Sequence, residues 1–169
     1  TIGEKAFFLC DSLTSITIPD RVTTIGEWAF AWCSSLTSVT IGDSVTTIGG
    51  SAFQYCSSLT SVTIGDSVTT IGDYAFYDCD SLTSVYCEAT TPPSLGGSSV
   101  FKFNASGRTI YVPAASVEAY KTADYWSKYA DAIVGYNFET GEVDKDPLDE
   151  LTNNKIYYTN DSTTTPTQP

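Results

Sequence analysis

The chain has 169 residues, enough for one repeat domain with a cap or a small domain with a linker, but not for several large domains. Eight basic against twenty acidic residues give a net charge of −12, which repels nucleic-acid phosphates and anionic lipid headgroups. There is no histidine, which excludes Ser-His-Asp, Cys-His and His-zinc chemistry. We therefore expect no catalytic residue, no cofactor, no metal, no nucleic-acid partner and, without a long apolar run, no membrane insertion.

Residues 1–88 repeat themselves every 23 positions. Two columns of the repeat are Leu13, Leu36, Leu59 and Leu82, and Cys10, Cys33, Cys56 and Cys79. A period of about 20 to 50 residues predicts a solenoid, in which stacked coils bury a common core. The first residues fall inside a repeat and the chain contains no methionine. We therefore expect a piece of a longer protein, truncated at the N-terminal end.

Each repeat predicts two short strands and one helical turn. Apolar positions alternate at the end of residues 59–64, as in a half-buried strand, and residues 68–71 form a second extended stretch. Ala75, Phe76 and Cys79 have the spacing of a helical turn with a buried face. When coils stack about 4.8 Å apart, equivalent residues form ladders. The fold class is therefore an α/β-type repeat solenoid of about four coils, with an aromatic ladder inside.

The aromatic ladder consists of Phe7, Phe30, Phe53 and Phe76. The four cysteines of the repeat column form a second ladder, and the fifth, Cys87, stands where earlier repeats have isoleucine. Neighbours in a ladder point in parallel, whereas a disulfide needs side chains that point toward each other. Buried free thiols are favoured over disulfides at all five positions.

After Cys87 the period stops, and residues 89–138 are predicted to cap the open end of the solenoid as an α+β segment. Arg108 to Val112 alternates like a strand, and Ser116 is a candidate helix cap. Trp126, Tyr129 and Ile133 are expected to pack inward, although a ligand site in the cap is the alternative.

Residues 139–169 are predicted to be an acidic linker followed by the first strand of a truncated module. The tract Ile156-Tyr-Tyr is the candidate strand, and the polar tail after it cannot bury enough surface to fold alone. The carboxylates around Asp144 and Asp146 are a weaker candidate for calcium, because they lack the full spacing of an EF-hand loop.

The repeat unit L-T-S-[VI]-T-I-[GP]-D-x-V-T-T-I-G-x-x-A-F-x-x-C-x-S resembles the BspA-type leucine-rich repeat of bacterial surface proteins. Residues 89–138 are similar to the segment that follows such repeats in Bacteroides-type proteins. The resemblance implies a secreted or surface-anchored protein that binds other molecules, commonly host proteins or other cells. The signal and the anchor would lie outside these residues. It implies no catalytic residues.

Differences between repeats indicate where a binding surface lies. The outward positions of the main strand carry small hydroxyls, which are either strand formers facing water or a polar docking face. The positions that differ between the two full repeats, 36–58 and 59–81, lie instead beside the predicted helical turn. The residues that form the candidate surface are Trp28, Trp32, Tyr55, Tyr74 and Tyr77. Trp28 and Trp32 are expected to share a helical face.

These observations predict a non-enzymatic binding or adhesion protein, monomeric, that presents its repeat surface to a protein on a host or another cell. A glycan-binding accessory module is the first alternative, because exposed aromatic rings also stack on sugars. The competing interpretation of the same aromatics is that they shield the phenylalanine ladder. A passive spacer between other domains is the third function to consider.

Overall fold

The structure, a computed structural model, describes residues 1–144. Each repeat forms one coil with a four-residue strand and a two-residue strand, and these build two separate parallel sheets. The main sheet contains β1 (Ser15–Ile18), β3 (Ser38–Ile41), β5 (Ser61–Ile64) and β7 (Ser84–Cys87), and the second sheet contains β2 (Thr24–Ile25), β4 (Thr47–Ile48), β6 (Thr70–Ile71) and β8 (Ser94–Leu95). The predicted repeat solenoid is confirmed.

Strands of the main sheet pair in the register that the 23-residue period predicts. Ile18 lies beside Ile41, Ile41 beside Ile64, and Ile64 beside Cys87. In β5 the aliphatic Val62 and Ile64 are buried while Ser61 and Thr63, which alternate with them, are half-buried, as expected for a strand with one face on the core. Cys87 therefore takes the place of an isoleucine.

The third side of each coil differs from the prediction of a helical turn. Residues 27–32 form consecutive turns, in which Trp28 and Trp32 have φ angles of 58° and 63°, in the left-handed region that an α-helix does not use. Their N–H groups donate to the carbonyl oxygens of Gly50 and Gln54 in the next coil, at 3.1 and 2.9 Å. One isolated helical turn leaves most of its backbone groups unpaired. In this structure the N–H groups of Trp28 and Trp32 are paired by hydrogen bonds between coils. The prediction of a helical turn is therefore wrong.

Inside the solenoid the predicted phenylalanine ladder is present and continues beyond residue 88. Phe53 stacks on Phe30 and on Phe76, with ring centroids 5.0 and 5.2 Å apart and planes 2° from parallel. Phe76 stacks in turn on Phe101 at 5.5 Å. Phe7 stacks on Phe30 at 4.9 Å and is 37% exposed.

The cysteine ladder provides hydrogen-bond donors to the phenylalanine ladder. The thiols of Cys56 and Cys79 donate to the carbonyl oxygens of Phe30 and Phe53, each at 3.2 Å. Burial raises the pKa of Cys79 to about 12, so it stays a neutral donor at physiological pH. All five cysteines are free; four are buried and Cys10, at the first coil, is half-buried.

After Cys87 the spacing changes but the stacking continues. The next coil, residues 84–108, has 25 residues. Its strand β8 pairs in the second sheet, and its Phe101 stacks at the end of the phenylalanine ladder. Asn104 takes over the role of the cysteines, since its Nδ2 donates to the carbonyl oxygen of Phe76 at 2.8 Å. Arg108 donates to that of Phe101 at 2.6 Å. Residue 88 therefore marks the end of the 23-residue spacing and not the end of the coils.

The cap adds three strands to the main sheet and one helix over its end. The strands are β9 (Thr109–Pro113), β10 (Ile133–Asn137) and β11 (Glu142–Val143), and the helix is α1 (Val117–Thr122), flanked by 3₁₀ helices at Ala114–Ser116 and Trp126–Ala132. Strand β9 pairs with β7 and β10, both in parallel, and β11 is antiparallel to β10. The cap therefore covers the unpaired edge of β7.

Aromatic residues attach the cap to the irregular loop after β7. Tyr120 and Trp126 are fully buried, and their polar atoms donate to the carbonyl oxygens of Ala89 and Pro93, each at 2.7 Å. Trp126 and Ile133 pack inward as predicted, while Tyr129 is half-buried. Ser116 does precede α1, but its hydroxyl donates to the carbonyl oxygen of Thr90 and does not cap the helix.

Within residues 1–144 the longest helical segment has seven residues, and none is long and apolar enough to cross a membrane. In the same part of the chain no cluster of His, Cys, Asp or Glu is placed to hold a metal ion. The strand predicted at Ile156-Tyr-Tyr and most of the acidic linker, including Asp146 of the calcium alternative, lie outside the described residues.

Candidate functional site

The candidate surface lies on the third side of the coils and is built on left-handed backbone positions. Two residues per coil have positive φ: Lys5, Trp28, Ser51 and Tyr74 form one column, and Leu9, Trp32, Tyr55 and Asp78 form the other. Most residues avoid this conformation and large side chains avoid it most. Seven of these eight residues offset that cost by donating their N–H to a carbonyl oxygen of the next coil. The N–H of Tyr74 donates instead to Oδ1 of Asp73, at 3.0 Å.

Four of the five predicted residues lie in one continuous cluster. The rings of Trp32 and Tyr55 are 4.2 Å apart, and Tyr55 contacts Tyr77 edge-on at 6.0 Å. Tyr77 also contacts Tyr74 at 5.2 Å and Phe103 at 5.3 Å. We call Trp32, Tyr55, Tyr74, Tyr77 and Phe103 the aromatic row.

Trp28 does not belong to the aromatic row. The prediction that it shares a helical face with Trp32 is wrong, because no helix forms there. Among the described residues the ring beside Trp28 is Phe8, edge-on at 6.5 Å, and Trp28 is half-buried. It shields the first coils, whereas Trp32 faces solvent.

The aromatic row combines high exposure with fixed positions. Trp32, Tyr74 and Phe103 are 44%, 42% and 56% exposed. The N–H groups of Trp32 and Tyr55 are bonded to the next coil at 2.9 and 3.0 Å. Large apolar side chains held by a regular backbone are typical of interfaces, because little conformational entropy is lost on binding.

The members of the aromatic row are uncharged, but charged residues lie next to them. Partial burial, followed by the neighbouring Tyr55 and Asp78, raises the pKa of Tyr77, so its hydroxyl is uncharged at physiological pH. Partial burial and then Asp80 raise the pKa of Asp78. At the other margin the ammonium of Lys102 lies 4.9 Å from the ring centroid of Phe103. Asp78 occupies the column position between Tyr55 and Phe103, and the ring of Tyr77 joins these two residues beside it.

Sequence reasoning missed Phe103. It belongs to the column of Asp78 only when the coil is 25 residues long, since 78 + 25 = 103. The pair Val100-Phe101, which follows the pattern of Ala75-Phe76 with the same offset, is the signal that could have revealed the longer coil. No interaction in the structure explains why Gln54, buried beneath this side, leaves its Oε1 without a hydrogen-bond partner among residues 1–144.

Comparison with known proteins agrees with this geometry. A model of the BspA-type leucine-rich repeat region matches residues 1–125 in six copies. The chain belongs to this family. BspA-type repeats are typically surface-associated and suggest a protein-binding scaffold rather than a catalyst.

The six copies of the BspA-type repeat extend beyond residue 88, in agreement with the coil at 84–108. Among solved structures, a crystal structure of a leucine-rich repeat protein from T. pallidum is similar at 23% identity, with a TM-score of 0.42. The similarity covers 77% of this chain and 74% of that one. No curated protein sequence matches the chain.

Proposed function

We propose that this chain is a non-enzymatic, monomeric scaffold, secreted or displayed at the cell surface, that binds a protein partner through the aromatic row. The observation that carries the proposal is the exposure of Trp32, Tyr74 and Phe103 within one continuous cluster. Trp and Tyr are enriched among the residues that dominate binding energy at protein interfaces. The first strands of the main sheet offer only Ser and Thr to solvent.

The ring geometry favours a protein over a glycan. A sugar stacks on a flat aromatic face, whereas the contacts of Tyr77 with Tyr55, Tyr74 and Phe103 are edge-on, with planes turned by 89°, 68° and 78°. Such an uneven apolar surface fits the side chains of a protein better than the C–H face of a sugar ring. Glycan binding is therefore the alternative that the affinity measurements below must distinguish.

We expect Trp32→Ala to weaken binding to a protein partner by about thirtyfold, the effect of removing a side chain that dominates an interface. Trp28→Ala is the matched control, because Trp28 has the same side chain and a similar φ but lies outside the row. It should change affinity by less than about twofold. The measurement is the affinity of both variants and the original protein for purified extracellular-matrix proteins and for an array of glycans.

Equal affinities of the original protein and Trp32→Ala would contradict the proposal. Binding to glycans alone would support the accessory-module alternative, and binding to neither class would support the passive spacer. Thermal unfolding of each variant must show that the coils remain intact.

A further inference from the structure

A second group of aromatic side chains lies on the solvent side of the main sheet, at its capped end. Tyr86 on β7 stacks on Tyr111 on β9, with centroids 4.6 Å apart and planes 12° from parallel. Tyr136 on β10 contacts both, at 5.4 and 5.3 Å, and Phe138 lies 4.9 Å beyond it. We call these four residues the tyrosine cluster.

The tyrosine cluster interrupts an otherwise uniform surface. Thr17, Thr40 and Thr63 occupy the position of Tyr86 in the three preceding coils and pair with one another in register. Tyr86 follows Thr63 in the same ladder. Because threonine serves the strand equally well here, the change to tyrosine at the last regular coil is not required by the sheet.

Carboxylates border the tyrosine cluster on one side. Glu88 is half-buried, and its pKa is raised by burial and then by the negative charges of Asp43 and Asp66. Within residues 1–144 the one salt bridge joins Lys5 to Glu4. Among these residues no lysine or arginine nitrogen lies within 4.0 Å of the carboxylates of Glu88, Asp43 or Asp66.

Two adjoining hollows share the carboxylate of Glu88 and the rings of Tyr136 and Phe138 in their lining. One, of about 250 Å³, is lined by Thr63, Tyr86, Glu88, Tyr136 and Phe138. The other, of about 430 Å³, extends from the same Glu88, Tyr136 and Phe138 toward Asp66 and Pro113. Glu88 is thus at the junction of the two hollows, beside aromatic rings.

We propose that the space beside Glu88, where the two hollows meet, receives a basic side chain, lysine or arginine, from a partner protein. The aliphatic stem packs against Tyr136 and Phe138, and the cation lies between the ring faces and the carboxylate of Glu88. Aromatic rings attract cations through the negative charge of their faces. A bound cation also offsets the negative charges of Glu88 and of Asp66, which both line the larger hollow. The site is on a different side of the coils from the aromatic row and does not depend on it.

The test is a titration of the 1–169 protein with a short peptide that carries two lysines, followed by two-dimensional amide NMR. We expect saturable shifts at Glu88 and Tyr136, and about tenfold weaker binding of the same peptide with norleucine in place of lysine. Glu88→Gln should weaken lysine-peptide binding by a similar factor. Glu118→Gln on α1 removes the same charge from an exposed position elsewhere and should leave the affinity unchanged.

Trp32→Ala should also leave lysine-peptide binding unchanged, which separates this site from the aromatic row. Tyr136→Leu, tested only if its unfolding midpoint matches that of the original protein, should weaken binding by loss of the ring. Equal binding of the lysine and norleucine peptides, equal effects of Glu88→Gln and Glu118→Gln, or shifts at these residues with a neutral oligosaccharide instead would each overturn the proposal.

Discussion

Replacing Gly72 by alanine is expected to destabilise the solenoid by about 3 kcal/mol. A Cβ at this position would lie 2.4 Å from the backbone nitrogen of Gly50 and 2.7 Å from its Cα. These are backbone atoms of the preceding coil, so no side-chain rotation relieves the overlap. Either the coils separate and lose inter-coil hydrogen bonds, or the backbone is distorted. The measurement is urea unfolding of the variant and of the original protein.

Gly3 is the matched control because it occupies the same column in the first coil. A Cβ there has nothing within 4 Å. Gly3→Ala should change the free energy of unfolding by less than about 0.5 kcal/mol, or stabilise slightly by reducing the freedom of the unfolded chain. If Gly72→Ala and Gly3→Ala unfold at the same urea concentration, the close stacking of coils described above is wrong.

Truncation of Phe53 should cost about 3–5 kcal/mol, the range for removing a fully buried aromatic side chain. Phe53 is fully buried and stacks on both neighbouring phenylalanines at 5.0 and 5.2 Å. Phe53→Ala therefore opens a cavity in the ladder, between the rings of Phe30 and Phe76. The same urea unfolding experiment measures the loss.

Phe7→Ala provides the comparison for Phe53. Phe7 is 37% exposed and stacks on Phe30 alone, at 4.9 Å. Its removal should cost about 1–2 kcal/mol. Equal losses for Phe7→Ala and Phe53→Ala would contradict the difference in burial between the two side chains.

The core of the solenoid was predictable because every coil buries the same columns. Ile41, Ile64 and Cys87 were correctly placed in one ladder from their spacing alone. The third side was not predictable in this way. The spacing of Ala75, Phe76 and Cys79 fits a helical turn as well as a chain of turns, and nothing marks Trp or Tyr for positive φ.

The end of the solenoid shows a second limit of prediction from the sequence. Extrapolating the 23-residue period places Thr109 beside Tyr86, since 86 + 23 = 109, but the residue paired with Tyr86 is Tyr111. Two additional residues in the coil shift every later column. The 23-residue period alone therefore does not place the tyrosine cluster or Phe103, whereas it does place Trp32 and Tyr55 side by side.

The exposure of the aromatic row distinguishes it from other large aromatic residues of the same chain. Trp126 and Tyr120 are also large aromatics, but both are fully buried and hydrogen-bonded to backbone carbonyls. Trp32 and Tyr74 remain substantially exposed. Residues of the first kind close the core, and residues of the second kind are available to a partner.

Hydroxyl-radical footprinting by mass spectrometry, with and without the tightest-binding extracellular-matrix protein, tests this distinction most directly. In the free protein Trp32, Tyr74 and Phe103 should be oxidised rapidly, while Trp126 and Tyr120 should not react. The bound partner should protect Trp32 and Tyr74 and leave the half-buried Trp28 unchanged. Oxidation of Trp126 as fast as that of Trp32, or a bound partner that leaves the aromatic row fully reactive, would contradict the account.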